Sequence, residues 1–527
     1  MSSSHVDRPV ESAVEDHAAS VIAAKNTSWL SSGFAVVQSN FGKLDTYFPV
    51  STTLKIIALT LALSWFAFFP ANLTTVSDND LGWHLRSGEW IMQHHQLPRT
   101  DPFSITGAGR PWVAYSWPFS VLIYEVAQKF DLLGIGYFTL FSWMAFVTGL
   151  FLLARIQGAG FWSSVGLTLV AGRIVQRLVA PRPGTITMLC FLVLLLLLLR
   201  ERDRKSPTRA VWLIPFIFWV WSNVHVQFIY GLFILGLFCI EPYLDRLFVG
   251  PERAHAISPR LWIVLALSTA ATVVNPYGFG PYRVILDFLH QPLLAKAVVE
   301  TSPTTLAQFG NFIALLLILG AAVAIGRRRP VEPLWVVLFL WAAISSFRMD
   351  RDVWIGATVS LAFLATVSAT SQPRVRERSH IPLYASIGVI LVILVTMQRQ
   401  PRNKDLLGFM ATNLPLGGVA YIHENHLSGP LFNDYDWGGF LIYALPEMPV
   451  SIDGRTNIHG QDEVIRSANT WALLPGWEND PLLKQANLVI GSPQKPLSNH
   501  LATDPHFRLI YYDGTCVLFQ RISSSAK

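Results

Sequence analysis

Gly184–Arg200 reads GTITMLCFLVLLLLLLR, an apolar run with no charged side chain before its last residue. As a helix it is about 25 Å long at 1.5 Å per residue, close to the hydrocarbon thickness of a bilayer. Similar runs recur on both sides of it, at about 53–73, 132–154, 161–180, 210–223, 226–245, 261–275, 309–326, 332–347, 353–370 and 381–398. The pattern predicts about eleven transmembrane helices. Composition agrees: 52% of the 527 residues are hydrophobic and only 14% charged. That leaves too little polar surface to coat a soluble globule of this size, so the excess faces lipid.

Lys and Arg fall on one side of these spans. Arg155, the 200–209 cluster, Arg246, Arg253, Arg260, Arg327–Arg329, Arg374, Arg376 and Arg378 make 15, against 9 in the opposite connections. The positive-inside rule then places the N-terminus in the cytoplasm and residues 400–527 outside it. The basic clusters follow this membrane pattern, which accounts for the net charge of +6 and argues against nucleic acid as a partner. Cys190, Cys239 and Cys516 show neither disulfide nor zinc spacing and read as packing residues.

The chain divides into a cytoplasmic, disordered tail at 1–52, a membrane domain at 53–399 and an extracytoplasmic mixed α/β domain at 400–527. The tail carries no cleavable signal sequence, and the expected location is a bacterial inner membrane. Two long outer loops, 74–131 and 276–308, interrupt the membrane domain. In the first, 81–94 and 113–129 read as helices. The second of these has Trp117, Phe119, Leu122, Ile123 and Val126 on one face, suiting it to the membrane interface. The outer domain has strand signals at 449–453, 487–491 and 508–519, and helical signals near 404–423 and 461–474.

The first outer loop opens Ser77-Asp78-Asn79-Asp80-Leu81-Gly82-Trp83-His84-Leu85-Arg86. A carboxylate just outside the first span can take a proton from a hydroxyl or hold a divalent metal such as Mg or Mn. Asp80 can equally be the N-cap of the helix that follows. Further along, Arg173, Arg177 and Arg182, then Asn223 and His225, then Arg348, Asp350, Arg351 and Asp352 all map to the same face. Ionisable groups at membrane depth face a cavity or a partner. Arginine offers bidentate geometry to a phosphate, and pairing with Asp350 or Asp352 is the alternative. No Walker A loop, dinucleotide fingerprint, HExxH or nucleophile elbow is present.

DLGWHLRSGEW, LPRTDPFS and GRPWVAYSW, all within 80–117, resemble the first outer loop of the GT-C superfamily of membrane glycosyltransferases. The resemblance continues through WSNVHVQFIYGL, VVNPYGFGPYR and FNDYDWGGFLIYALPEMPVSIDGRTNIHG. It implies a GT-C-like helical bundle and transfer of sugars from polyprenyl-phosphate carriers to an envelope glycan, lipid or protein. It further implies an acidic catalytic residue at Asp78 or Asp80, with Gly82 standing where related sequences carry tryptophan. Arg86, Arg177, Arg182 and Arg348 are the expected donor-phosphate contacts, and His84, His225, Glu300, Asp436, Trp437 and Arg455 the expected substrate contacts. Asp436-Trp437-Gly438-Gly439 and Glu300 are similar to acceptor-binding elements of oligosaccharyltransferases. Three alternatives stay open: transfer of a whole lipid-linked glycan, a secondary transporter, and a non-catalytic scaffold.

Overall fold

A computed structural model describes residues 51–71, 78–202, 209–294, 298–369, 384–390 and 403–522. The expected tail, the first residues of the first outer loop and most of the eleventh expected span lie outside them.

Each of the first ten expected spans coincides with a helix. They are α1 (Thr52–Ala71), α3 (Trp117–Ile156), α4 (Phe161–Val175), α5 (Pro183–Arg202), α6 (Ile214–Val224), α7 (Phe228–Phe248), α8 (Pro259–Val273), α10 (Phe309–Arg327), α11 (Pro333–Arg348) and α12 (Val353–Val367). Between them lie α2 (Leu81–His94) and α9 (Gly280–Leu289) in the two outer loops. Among the described residues, α3, α5, α7 and α10 are long and apolar enough to cross a membrane. α12 is buried on almost every side, as an all-apolar helix must be, and the bundle packs around it. Leu61, Phe216, Ile263, Leu316, Leu340 and Ile344 remain exposed on other helices. Such apolar surface is too large for contact with water.

α3 joins two expected elements. It breaks at Asp131, where φ is 54°, a backbone region that L-residues rarely adopt. The helix before the break belongs to the first outer loop, and the helix after it is the second expected span. At the end where α5 and α7 finish, Arg202 pairs with Glu241 and Glu332, each at 2.6 Å. This is the basic side of the expected topology.

The 403–522 region holds α13 (Asn403–Met410), α14 (Leu416–Glu424), α15 (Tyr435–Ala444), α16 (Thr456–Trp471), α17 (Pro481–Gln485), α18 (Pro496–Leu501) and a four-stranded sheet of order β1-β2-β4-β3. The strands are β1 (Leu431–Asn433), β2 (Leu488–Gly491), β3 (Phe507–Tyr512) and β4 (Val517–Arg521). β1 and β2 are parallel; β4 pairs antiparallel with both β2 and β3. The expected strand at 508–519 is therefore a hairpin, turning at Gly514 with φ 82°. The expected strand at 449–453 makes only a single bridge, from Val450 to Ser104 of the first loop. β1 escaped the sequence reading because three fully buried residues show no alternation.

That bridge is part of a wider seam. The Ile105 N–H donates to the Val450 carbonyl at 2.8 Å, and Val450 N–H to that of Phe103 at 3.2 Å. One apolar core runs from Leu81, Leu85 and Trp112 of the first loop to Trp437, Leu441 and Ile458 of the 403–522 region. α15 lies against α2 so closely that a Cβ on Gly82 would overlap the carbonyl oxygen of Gly439, and one on Gly439 that of Asn79. Gly82 is thus a packing requirement, because no larger side chain would fit there.

Candidate active site

A cavity of about 800 Å³ lies between the helix bundle and the 403–522 region. Its wall is built from turns remote in sequence. These are Asp78–Asp80 ahead of α2, Arg177–Arg182 between α4 and α5, His225 and Gln227 between α6 and α7, Glu300 in the second outer loop, and Asp350 and Arg351 between α11 and α12. Tyr435, Asp436, Gly454, Arg455 and Lys495 close it from the other side.

At one end the Arg182 guanidinium gathers three carboxylates. Its Nε donates to Asp78 Oδ2 at 2.7 Å, and a terminal nitrogen stands 2.6 Å from Glu300 Oε1 and 3.2 Å from Asp80 Oδ2. Asp78 Oδ1 accepts from the Asp80 N–H at 3.0 Å, and Asp80 Oδ1 from the Trp83 indole at 3.2 Å. Asp78 is nearly buried, while Asp80 keeps a quarter of its side chain exposed. Burial pushes the Asp80 carboxyl up to about 6; Arg182 pulls it down, and Asp78 and Glu300 raise it further. Asp80 stands just ahead of α2, but its side chain makes no cap bond. A Cβ on Gly454 would overlap Asp80 Oδ1, so a larger residue there would push this carboxylate aside.

His84 is buried, stacked on Trp83 with ring centroids 3.6 Å apart, and bonded through Nδ1 to Ser120 Oγ at 2.9 Å. Burial, then Arg182, hold it well below the usual histidine range, so it is neutral and brings no positive charge to a phosphate. His225 also lines the cavity. Thr187 Oγ1 accepts from the Trp221 indole and lies within hydrogen-bond reach of His225 Nδ1, both at 2.9 Å.

The expected phosphate contacts part company here. Arg177 lines the cavity but is tied to the Asp350 carboxylate and, at 2.8 Å, to Asn311 Oδ1. Arg86 pairs with Glu89 at 2.6 Å and does not line the cavity, nor does the exposed Arg348. Arg351, three residues on, does line it. Among the described residues it has neither an ion pair nor a hydrogen bond. Its Nε is buried without a partner, and its guanidinium lies 5.3 Å from the Phe288 ring centroid. The motif Arg348-Met349-Asp350-Arg351-Asp352 flags both arginines, and the turn at Asp350–Asp352 decides which one reaches the cavity.

Two of the expected substrate contacts are tied to other parts of the chain, although Arg455 also lines the cavity. The Arg455 guanidinium is buried between Asp101 and Asp453, at 2.7 and 2.8 Å, and stacks over Trp112. It fastens the 403–522 region to the first loop. Trp437 lies in the shared core, its indole donating to the Asn413 carbonyl at 3.0 Å. Asp436 and Glu300 do line the cavity. Tyr435 and Lys495 were not singled out in the sequence. Tyr435 sits beside a flagged aspartate, and Lys495 carries no local signal.

Asp78 and Asp80 are the residues that would hold a divalent cation here if the site took one. Among the described residues, the group of three acidic, histidine or cysteine side chains whose ligand atoms all lie within 4.8 Å of one another is Glu241, Asp245 and His255, at the far end of the bundle. The cavity carboxylates are spread around Arg182 instead.

The chain has the fold of the GT-C membrane glycosyltransferases. It is similar to the oligosaccharyltransferase of Archaeoglobus fulgidus, solved with a tethered acceptor peptide containing the NVT sequon. That likeness has 13% identity and a TM-score of 0.50, over 82% of this chain and 68% of that one. A second structure, the same archaeon's oligosaccharyltransferase AglB with an inhibitory peptide and a dolichol-phosphate, matches with 11% identity and a TM-score of 0.50, over 83% and 69%. ArnT of Cupriavidus metallidurans, bound to undecaprenyl phosphate, gives 13% identity and a TM-score of 0.47, over 90% and 99%. At these identities the likeness is one of fold. No protein-family model and no curated protein sequence matches the chain.

Proposed function

We propose that the protein transfers a sugar from a polyprenyl-phosphate carrier to an envelope glycan, lipid or protein, at the outer face of a bacterial inner membrane. One observation carries this reading: a single chamber holds a carboxyl poised near neutrality, Asp80, and an unpaired guanidinium, Arg351. The volume of about 800 Å³ suits a sugar-phosphate headgroup beside an acceptor. The archaeal enzyme of similar fold was solved with both a lipid phosphate and a peptide, the two kinds of ligand this chamber would take.

In this reading the acceptor hydroxyl gives its proton to Asp80. Its oxygen attacks the anomeric carbon from the face opposite the carrier. The bond from that carbon to the phosphate oxygen breaks, and the carrier phosphate leaves with the electron pair. Inversion follows from the single displacement. Arg351 faces the charge that grows on the leaving phosphate, which is where a fixed cation lowers the barrier most. Asp78 orients Asp80 through its backbone N–H and anchors Arg182.

The test is transfer of a radiolabelled sugar from polyprenyl-phosphate donors by the purified chain, beside Asp80→Asn. Loss of about 100-fold or more in the variant is expected. Undiminished transfer would remove Asp80 as the base. A second reading, transfer of a whole lipid-linked glycan to protein, draws on the likeness to oligosaccharyltransferases. Product on a peptide acceptor but not on glycan or lipid acceptors would favour it.

A further inference from the structure

Three carboxylates from two separate loops meet on one guanidinium. Asp78 and Asp80 come from the first outer loop and Glu300 from the second, yet all three reach Arg182 at 2.6 to 3.2 Å. A divalent ion would draw carboxylate oxygens to about 2.0–2.6 Å from one shared centre. These oxygens instead lie around the edges of a planar cation, one on Nε and two on a terminal nitrogen. They do not form a cluster of ligand atoms within 4.8 Å of one another. The residues present do not fit a divalent cation.

We propose that this site works without a divalent cation, and that Arg182 is the positioning residue that takes the place of one. It holds Asp78 and Glu300 in register with Asp80 and so joins the two outer loops across the mouth of the cavity. The proposal rests on the transferase reading for its activity arm alone. Arginine suits the task because it stays ionised at every working pH and its fork serves several oxygens at once.

The purified full chain, treated with EDTA and then titrated with Mn²⁺, is followed by thermal unfolding and by sugar transfer. EDTA is expected to leave the unfolding temperature unmoved and the transfer rate within about twofold. Mn²⁺ is expected to have no effect through this site in the wild type. Arg182→Gln, which leaves the three carboxylates without their cation, should gain a saturable Mn²⁺-dependent rise in unfolding temperature. Arg182→Lys keeps a charge there and should stay indifferent. A Mn²⁺ response in the wild type that Asp78→Asn abolishes would overturn the proposal. So would transfer lost in EDTA and restored by Mn²⁺, or a folded Arg182→Gln that ignores the ion. Should Arg182→Gln not fold, the wild-type titration beside Asp78→Asn decides alone. Failure to transfer from any donor, with the unfolding results as expected, counts against the transferase reading and leaves the role of Arg182 standing.

Discussion

Asp78 and Asp80 stand two residues apart and meet different surroundings. Asp78 is closed in by Arg182 and by the Asp80 N–H it accepts from, whereas Asp80 is partly open and held near 6 by burial. A base works in its ionised form, so transfer should be flat above about pH 7 and fall roughly tenfold per unit below 6. A pH–rate profile of kcat/KM checks this, and the acid limb should vanish with Asp80→Asn. Arg351 gives a second expectation. Arg351→Ala should lower kcat by about 100-fold, with Arg351→Lys recovering part of the loss; Arg348→Ala should match the wild type. Equal losses at the two positions would place the leaving phosphate elsewhere.

At the scale of elements, the decisive contact is α2 against α15. The pair Gly82 and Gly439 lets two backbones touch, and neither position has room for a Cβ. Gly82→Ala should cost about 1–3 kcal/mol through overpacking and slow transfer, because the strain falls beside Asp80. Thermal unfolding and transfer assays on the same protein read both effects. The buried Asp101–Arg455–Asp453 group fastens the same two regions. Removing one member of a buried pair leaves uncompensated charge, so Arg455→Ala should cost about 3–5 kcal/mol. Its attraction for Asp453, with that of His459, holds this carboxyl well below the usual range despite burial. A depressed carboxyl contributes stability above its unfolded pKa and loses it as pH falls through the folded one. The seam should therefore loosen only in strong acid, visible as early unfolding of the 403–522 region in an acid titration.

On the scale of the molecule, the cavity lies at one end of the bundle and the Arg202 network at the other, as the alternation of basic loops requires. Orientation can be checked directly. A cysteine placed at exposed Ala502 should react with a membrane-impermeant maleimide on intact spheroplasts, and one at exposed Glu252 only after lysis. The reverse result would turn the assigned topology over. The native cysteines are buried or half-buried and give a low background.

Hydropathy and charge alternation are local properties, so the sequence by itself determined the helical bundle, the places where its helices start, the loop carrying the paired aspartates and the face they share. It flagged the cluster around Arg348 and Arg351 for the same reason. Long-range packing is not written in any window of residues. Which arginine is free and which is bound depends on partners far off in the chain, such as Asp350 for Arg177 and Glu300 for Arg182. The resemblance alone made Arg455 and Trp437 expected substrate contacts, and tertiary structure ties both into a buried seam, with Arg455 still lining the cavity. Gly82 looked like a departure from a catalytic motif until the backbone of Gly439 was set against it. Only the folded chain decided these points, because charge pairing and steric room are settled between elements, after the local pattern has done its part.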